Sequence, residues 1–195
     1  MNFHKQKTQW LFPVPVWPFG FPDCEEVNRR AEQRIYELAS EQESWRASNE
    51  GGWHSTNLTQ DEAMAPIIEF IGWAIREVAE ESSIEFKDYD LSLWANLNRP
   101  HDYNVTHSHP GFHLSGVYYV KLPEGDCGNI RLYNPMFSYE YCSRTAGPPY
   151  QQHRVELKGK EGALLIFRSP LLHDVGRNNT DGDRISLAFN ARFIR

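Results

Sequence analysis

Apolar and polar positions alternate with two different periods along this chain, and the change falls near Ser83. Before it, Val27, Ala31, Ile35 and Leu38 recur at helical spacing with charges between them. Asp23 and Glu26 have the spacing of a capping box, which predicts a helix starting at Asp23. A polar stretch, SNEGGWHSTNLT, occupies 48–59. Thr59 and Glu62 then form a second capping box, and Ile67, Phe70, Ile71, Ala74 and Val78 trace one face of a second helix. After Ser83 the period is two. Leu91, Leu93, Ala95 and Leu97 alternate with Ser92, Trp94, Asn96 and Asn98, which predicts a strand. Further strands are predicted at 114–121, 129–134, 153–158, 162–168 and 184–193, separated by PEGDCGN, SRTAGPP, KGKEG and GRNNTDGD. Helices followed by a run of short strands read as α+β, a double-sheet jelly roll or cupin-like barrel with the N-terminal helices packed on one outer sheet face. The chain of 195 residues fits one domain: a Pro-rich arm (1–22) lying extended over the core, a helical region (23–83) and a sheet core (84–195).

Composition narrows the function. Apolar residues are 40% and charged residues 24%, which is globular usage, and the formal net charge of -6 disfavours nucleic acid and anionic membranes as partners. No run of 18 apolar residues exists to span a membrane, and Pro13, Pro15 and Pro18 break the N-terminal apolar stretch, so it does not read as a signal peptide. Cys24, Cys127 and Cys142 are too few and too scattered for a disulfide framework, contain no CxxC pair, and suit a reducing cytoplasm. All six Trp lie in the first 94 residues and six of the eight His lie in the second half, which puts the candidate chemistry late in the chain.

That chemistry centres on THSHPGFHLSG. His107 and His109 have i, i+2 spacing, so on a strand both rings share a face. His173 follows the apolar strand of GALLIFRSPLLHDVG and delivers a third imidazole from elsewhere in the sheet. Three such ligands form a facial set that leaves three coordination positions open. Taken alone, the His pair reads first as surface or hydrogen-bonding histidines, because so short a motif recurs by chance. His113, beyond Pro110-Gly111, is out of phase and reads as structural. On the last strand, Arg184, Ser186, Ala188 and Asn190 share one face, and Ile185, Leu187 and Phe189 the other. The apolar face belongs under the helices, so the first face lines the interior, where an Arg is costly unless an anion meets it. A guanidinium fork fits a carboxylate, and Ser186 adds a hydroxyl. The alternative is an edge strand with Arg184 in solvent.

Together these residues resemble the iron(II)- and 2-oxoglutarate-dependent oxygenases, whose pattern is His-x-Asp/Glu, a distal His, and a basic residue about ten positions later, often followed by x-Ser. His107, His173, Arg184 and Ser186 fill the matching places. The wording WANLN, HSHPGFHLSGVYYV, GALLIFRSPLLHDVG and RISLAFNARF is similar to a small bacterial and phage branch of that family, and LFPVPVW and NEGGWHS extend the likeness toward the N-terminus. The resemblance implies a double-stranded β-helix that holds Fe(II) and 2-oxoglutarate in its mouth. It also implies turnover with dioxygen to succinate and CO2, and hydroxylation of a small organic or amino-acid-type substrate. It places the far carboxylate of 2-oxoglutarate on Arg184 and Ser186, with Tyr119 of GVYYV in reach, and makes Asn96 and Asn98 weaker candidates for polar contacts to cosubstrate or substrate. One departure stands out. His109 replaces the family's carboxylate, which leaves a three-histidine site, a site from which His109 stands aside, or a site using Asp102 or Asp174.

Two other readings compete. A cupin also carries His-x-His and a later His, but Glu124 lies too far along for its first motif and Arg184-x-Ser186 has no role in it. A non-catalytic metal- or sugar-binding barrel leaves the three His and the Arg unexplained. Specificity is expected from the Pro-rich arm, from 48–59 with Trp53 and His54, and from 135–152, an aromatic-rich stretch that reads as a lid or as an ordinary loop.

Overall fold

The alternation after Ser83 builds two antiparallel sheets in the computed structural model, which describes Lys7 and residues 13–136 and 147–195. The larger sheet contains β1 (Val16–Gly20), β3 (Trp53–His54), β4 (Asp88–Asn98), β6 (Leu114–Lys121), β9 (Ala163–Arg168) and β11 (Arg184–Ile194), in the order β1-β9-β6-β11-β4-β3. The smaller contains β2 (Asn49–Glu50), β5 (Tyr103–His107), β7 (Ile130–Tyr133), β8 (Arg154–Leu157) and β10 (His173–Val175), in the order β2-β5-β10-β7-β8. This is the jelly roll expected of helices followed by many short strands.

The two faces of the larger sheet have different partners. Leu93, Ala95, Leu97, Tyr118, Leu164, Ile166, Ile185, Leu187 and Phe189 join one hydrophobic cluster with Ala31, Ile35 and Leu38 of α1 (Glu25–Glu41) and Ile67, Ile71, Ile75 and Val78 of α2 (Ala65–Glu81). The helices therefore cover the apolar face that the β11 pattern assigned to them. On the other face Val117, Tyr119 and Phe167 meet Ile130, Leu132 and Leu171 in a second cluster between the sheets.

Both predicted capping boxes are replaced by other devices. Cys24, not Asp23, is the N-cap of α1, and no side chain caps it. Asp23 sits in the left-handed region (φ 53), and Glu26 is held by Arg29 at 2.7 and 2.8 Å instead of reaching back to the cap. Ahead of α2 a 3-10 turn at Glu62–Met64 intervenes, capped by Asp61, whose Oδ1 accepts from Ala63 N at 3.0 Å. Pro66 then occupies the first turn of α2, where a missing N–H costs nothing.

The Pro-rich arm is more ordered than an extended cover. Its residues Val16–Gly20 pair with β9 as an edge strand, the place in a sheet where a proline such as Pro18 is tolerated.

Register fixes which side chains meet on the inner face. His54 of β3 is the partner of Asn96 on β4, Asn96 that of Ser186 on β11, and Ser186 that of Tyr119 on β6. These four residues form one row across four adjacent strands. The turn that brings His54 into the row passes through Gly51 (φ 83), where a Cβ would fall 1.8 Å from Asp102 Oδ1. Only a residue without a side chain fits there. No helix among the described residues is long and apolar enough to cross a membrane.

Candidate metal centre

His107 closes β5, His173 opens β10, and the two are register partners. Their rings therefore lie side by side, with centroids 4.3 Å apart. The third ring comes from the loop after β5, because the strand ends at His107 and does not carry both members of the pair. His109 is pinned there by its backbone N–H, which donates to the Ser169 carbonyl at 2.9 Å. Its centroid lies 4.9 Å from that of His107 and 5.2 Å from that of His173. One ring nitrogen from each of the three falls within 4.8 Å of the others, which is the spacing of ligands around a shared ion.

The tautomers follow from the partners. His107 Nδ1 lies 2.7 Å from the Val105 carbonyl and His173 Nδ1 lies 2.8 Å from the Leu171 carbonyl. A carbonyl only accepts, so both Nδ1 atoms carry the proton and both Nε2 lone pairs are free. Burial also keeps the rings neutral. It pushes His109 down to about 3, helped by His173 and His107, and His173 down to about 4, and it lowers His107 as well. Three neutral imidazoles with free lone pairs suit a divalent transition metal.

The two alternative acids lie elsewhere. Asp102 Oδ2 accepts from the Arg99 backbone N–H at 2.8 Å, and its carboxylate packs against Gly51. Asp174 is buried, but strand alternation turns it away from its neighbour His173. Its oxygens are taken by Arg131, by Tyr133 Oη at 2.7 Å and by Thr106 Oγ1 at 3.1 Å. Neither belongs to the histidine cluster. His113 is also outside it: its Nδ1 accepts from Phe193 N at 3.0 Å, a structural tie.

Arg184 is 1% exposed, on the inner face of β11 and not in solvent. Its Nη1 donates to Asn98 Oδ1 at 3.2 Å and to Ser186 Oγ at 3.3 Å, while Nε and Nη2 are buried without a partner among the described residues. The guanidinium lies 5.5 Å from the Tyr119 ring centroid, and the Tyr119 hydroxyl is equally unpartnered. Burial lowers the Arg184 pKa and raises that of Tyr119. An unpaired guanidinium edge beside an unpaired phenol is a costly arrangement that a carboxylate would satisfy. The donor sets thus fit both groups that the sequence pattern implies.

The cluster and the guanidinium share one cavity of about 340 Å³, in which Arg184 is the one charged side chain among the described lining residues. Ser186 and Asn96 line it too. Asn98 and Tyr119 flank Arg184 instead of lining the cavity. His54 and Trp94 form a further wall, with rings stacked at 5.7 Å and 14°. Of the stretch expected as a lid, residues 137–146 lie outside the described residues, and Pro149–Gln151 form a short 3-10 turn.

Comparison with known proteins agrees with this geometry. Residues 92–190 match the model of the family described as "Putative 2OG-Fe(II) oxygenase". No curated protein matches the chain. Among solved structures, a Pseudomonas putida prolyl-4-hydroxylase superposes with a TM-score of 0.69 at 14% identity, over 93% of this chain and 94% of that one. The non-haem α-ketoglutarate-dependent epimerase SnoN from nogalamycin biosynthesis gives 0.70 at 13% identity, over 92% of this chain and 77% of that one. A viral collagen prolyl hydroxylase from Paramecium bursaria Chlorella virus-1, in complex with 2-oxoglutarate, gives 0.58 at 13% identity, over 92% and 96%. At such identities these likenesses show the fold. The family match covers both histidine motifs and Arg184-x-Ser186, which decides against the cupin and non-catalytic readings: the chain belongs to the 2-oxoglutarate- and iron(II)-dependent oxygenases.

Proposed function

We propose that the enzyme hydroxylates a small organic or amino-acid-type substrate, with His107, His109 and His173 as the ligands of Fe(II) and Arg184 as the seat of the 2-oxoglutarate far carboxylate. The observation that carries this reading is the guanidinium edge of Arg184, buried without a partner among the described residues in the cavity that also holds three neutral imidazoles.

Each residue has a physical task. The Val105 and Leu171 carbonyls fix the tautomers of His107 and His173, so both present Nε2 to the ion. Asn98 holds one end of the guanidinium and leaves the other for a carboxylate. Ser186 supplies a hydroxyl, and Tyr119, kept protonated by burial, supplies a second. Asn96 is the remaining polar group, placed to meet cosubstrate or substrate. Iron(II) held there supplies the activation of dioxygen that couples 2-oxoglutarate decarboxylation to oxidation of the substrate. Three imidazoles carry no charge, so the ligand set leaves the ion at +2, where a carboxylate ligand would leave +1. A dianionic cosubstrate is therefore held at least as well as in a site with a carboxylate ligand.

The whole chain acts as one domain in this reading, with the arm and helices bracing the larger sheet. The acidic balance, and the free Cys24 and Cys127 among the described residues, support a cytoplasmic enzyme without nucleic-acid partners. Mass spectrometry of a panel of amino acids and small organic molecules, incubated with iron(II), 2-oxoglutarate and air, tests the reaction type. A true substrate gains one oxygen atom per succinate released. Succinate accompanied by a desaturated, halogenated or epimerised product would replace hydroxylation with that outcome.

A further inference from the structure

Beside the metal cavity lies a second depression of about 270 Å³, lined by Trp45, His54, Ser55, Thr56, Asn57, Ser92, Leu93 and Trp94. His54 and Trp94 line both spaces, so the two are neighbours that share the stacked pair as a wall. Trp45, on the far side, is 62% exposed, an unusual state for so large an apolar ring. Trp94 also reaches toward the metal centre, with its ring centroid 5.8 Å from that of His109. The outer depression thus offers apolar faces that continue directly to the reacting end of the cavity.

His54 adds direction to this surface. It is 8% exposed, and its Nδ1 lies 2.7 Å from the Ser55 carbonyl, which only accepts, so the proton sits on Nδ1. Nε2 then carries a lone pair and has no partner among the described residues. Nor is it sealed off, since it is absent from the fully buried unpaired atoms that include Arg184 Nε and Tyr119 Oη. It is a fixed acceptor open to the cavity. Asn96, its register partner, also has no side-chain hydrogen bond among the described residues. Arg184, the one charged group among the described lining residues of the cavity, lies outside the row, two residues from Ser186 on β11 and opposite Asn98. Among the described residues lining the outer depression none carries a formal charge that would balance a charged ligand.

We infer that His54 is a specificity-determining residue: its Nε2 accepts a hydrogen bond from an N–H or O–H of an uncharged ring-bearing substrate, whose ring lies against Trp94 and Trp45. This rests on the proposed function of the cavity and adds a substrate class to it. Row geometry divides the site. Tyr119, Ser186 and Arg184 serve the anionic cosubstrate, and Asn96 and His54 the neutral substrate.

The test uses two probes of nearly equal shape, indole and 1-methylindole, which differ in one N–H donor. Binding of each is measured by calorimetry to protein loaded with zinc(II) and saturated with 2-oxoglutarate, and 2-oxoglutarate binding is recorded first in the same samples. Indole should bind about tenfold more tightly than 1-methylindole, the difference expected when one buried acceptor is left unpaired. His54→Phe should abolish that preference. His54→Gln, which keeps an acceptor and serves as the control against misfolding, should retain most of it. Equal affinity for both probes, no binding of either, or a preference that survives His54→Phe overturns the inference. If 2-oxoglutarate itself fails to bind, the failure belongs to the cosubstrate assignment and is seen before either probe is added.

Discussion

Arg184 stands directly opposite Asn98 on the adjacent strand and donates one hydrogen bond to it, leaving Nε and Nη2 buried and unpaired among the described residues. An uncompensated guanidinium destabilises the protein that carries it and binds an incoming carboxylate strongly. Replacement by a similar-sized apolar side chain should therefore separate stability from binding. Arg184→Met without cosubstrate should be as stable as the parent or more stable by about 1–4 kcal/mol. Its affinity for 2-oxoglutarate should fall by about 2–5 kcal/mol, while metal content stays unchanged. Denaturant titration with and without 2-oxoglutarate reads both effects. Loss of stability with unchanged 2-oxoglutarate affinity would make Arg184 a structural residue.

The histidines set a pH dependence. Folded-state pKa values below the ordinary 6.5 mean that the unfolded chain binds more protons than the folded one at mildly acidic pH. Stability of the metal-free protein is then fully present above 6.5 and declines as pH falls toward about 4 for His173 and about 3 for His109. His109→Gln should flatten that decline. Urea midpoints between pH 7 and 4 measure it, and equal slopes in parent and variant would show that His109 does not stay neutral in the fold.

Asp174 tests the choice of ligands from the other side. Its carboxylate gathers Arg131, Tyr133 and Thr106, and its bond to Arg131 raises the pKa of that guanidinium. Asp174→Asn should cost about 2–3 kcal/mol, less than a fully buried pair because a quarter of the Arg131 side chain is exposed. The folded variant should still take up one equivalent of cobalt(II). Loss of metal with little loss of stability would identify Asp174 as a ligand.

The sequence shows the site more clearly than it shows the scaffold around it. β4 and β11 are eleven residues long and alternate, so their faces were legible, including the inward turn of Arg184 and Ser186, and strand geometry put Tyr119 of β6 on a face with Ser115 and Val117. β5 and β10, which carry His107 and His173, are five and three residues long, too short for a period to show. That His109 lies beyond the end of β5 depends on its backbone bond to Ser169, a contact 60 residues away that no local pattern signals. The capping boxes failed for a similar reason. Arg29 and Asp61 offered Glu26 and the start of the second helical segment better partners than the local spacing suggested. His54 was visible only as part of a polar segment, and its role in the row with Asn96 depends on the pairing of β3 with β4.

His109 is where this chain departs from its family's pattern, and the loss of one ligand has a predictable size. Structural zinc sites with four ligands bind with about 10–16 kcal/mol, or about 3 kcal/mol per ligand, so His109→Ala should weaken zinc(II) binding roughly 100-fold. Competition against a chromophoric chelator measures this. An unchanged affinity would mean that His107 and His173 hold the ion without it.

Quantifying succinate formed from 2-oxoglutarate by the purified, iron(II)-loaded enzyme in air tests the central claim most directly. The three-histidine centre and the Arg184 seat together predict succinate that depends on both iron(II) and dioxygen. They also predict that it disappears in His107→Ala and in Arg184→Met at low 2-oxoglutarate. Succinate formation that persists in both variants, or its absence from the iron-loaded parent enzyme, would contradict the account.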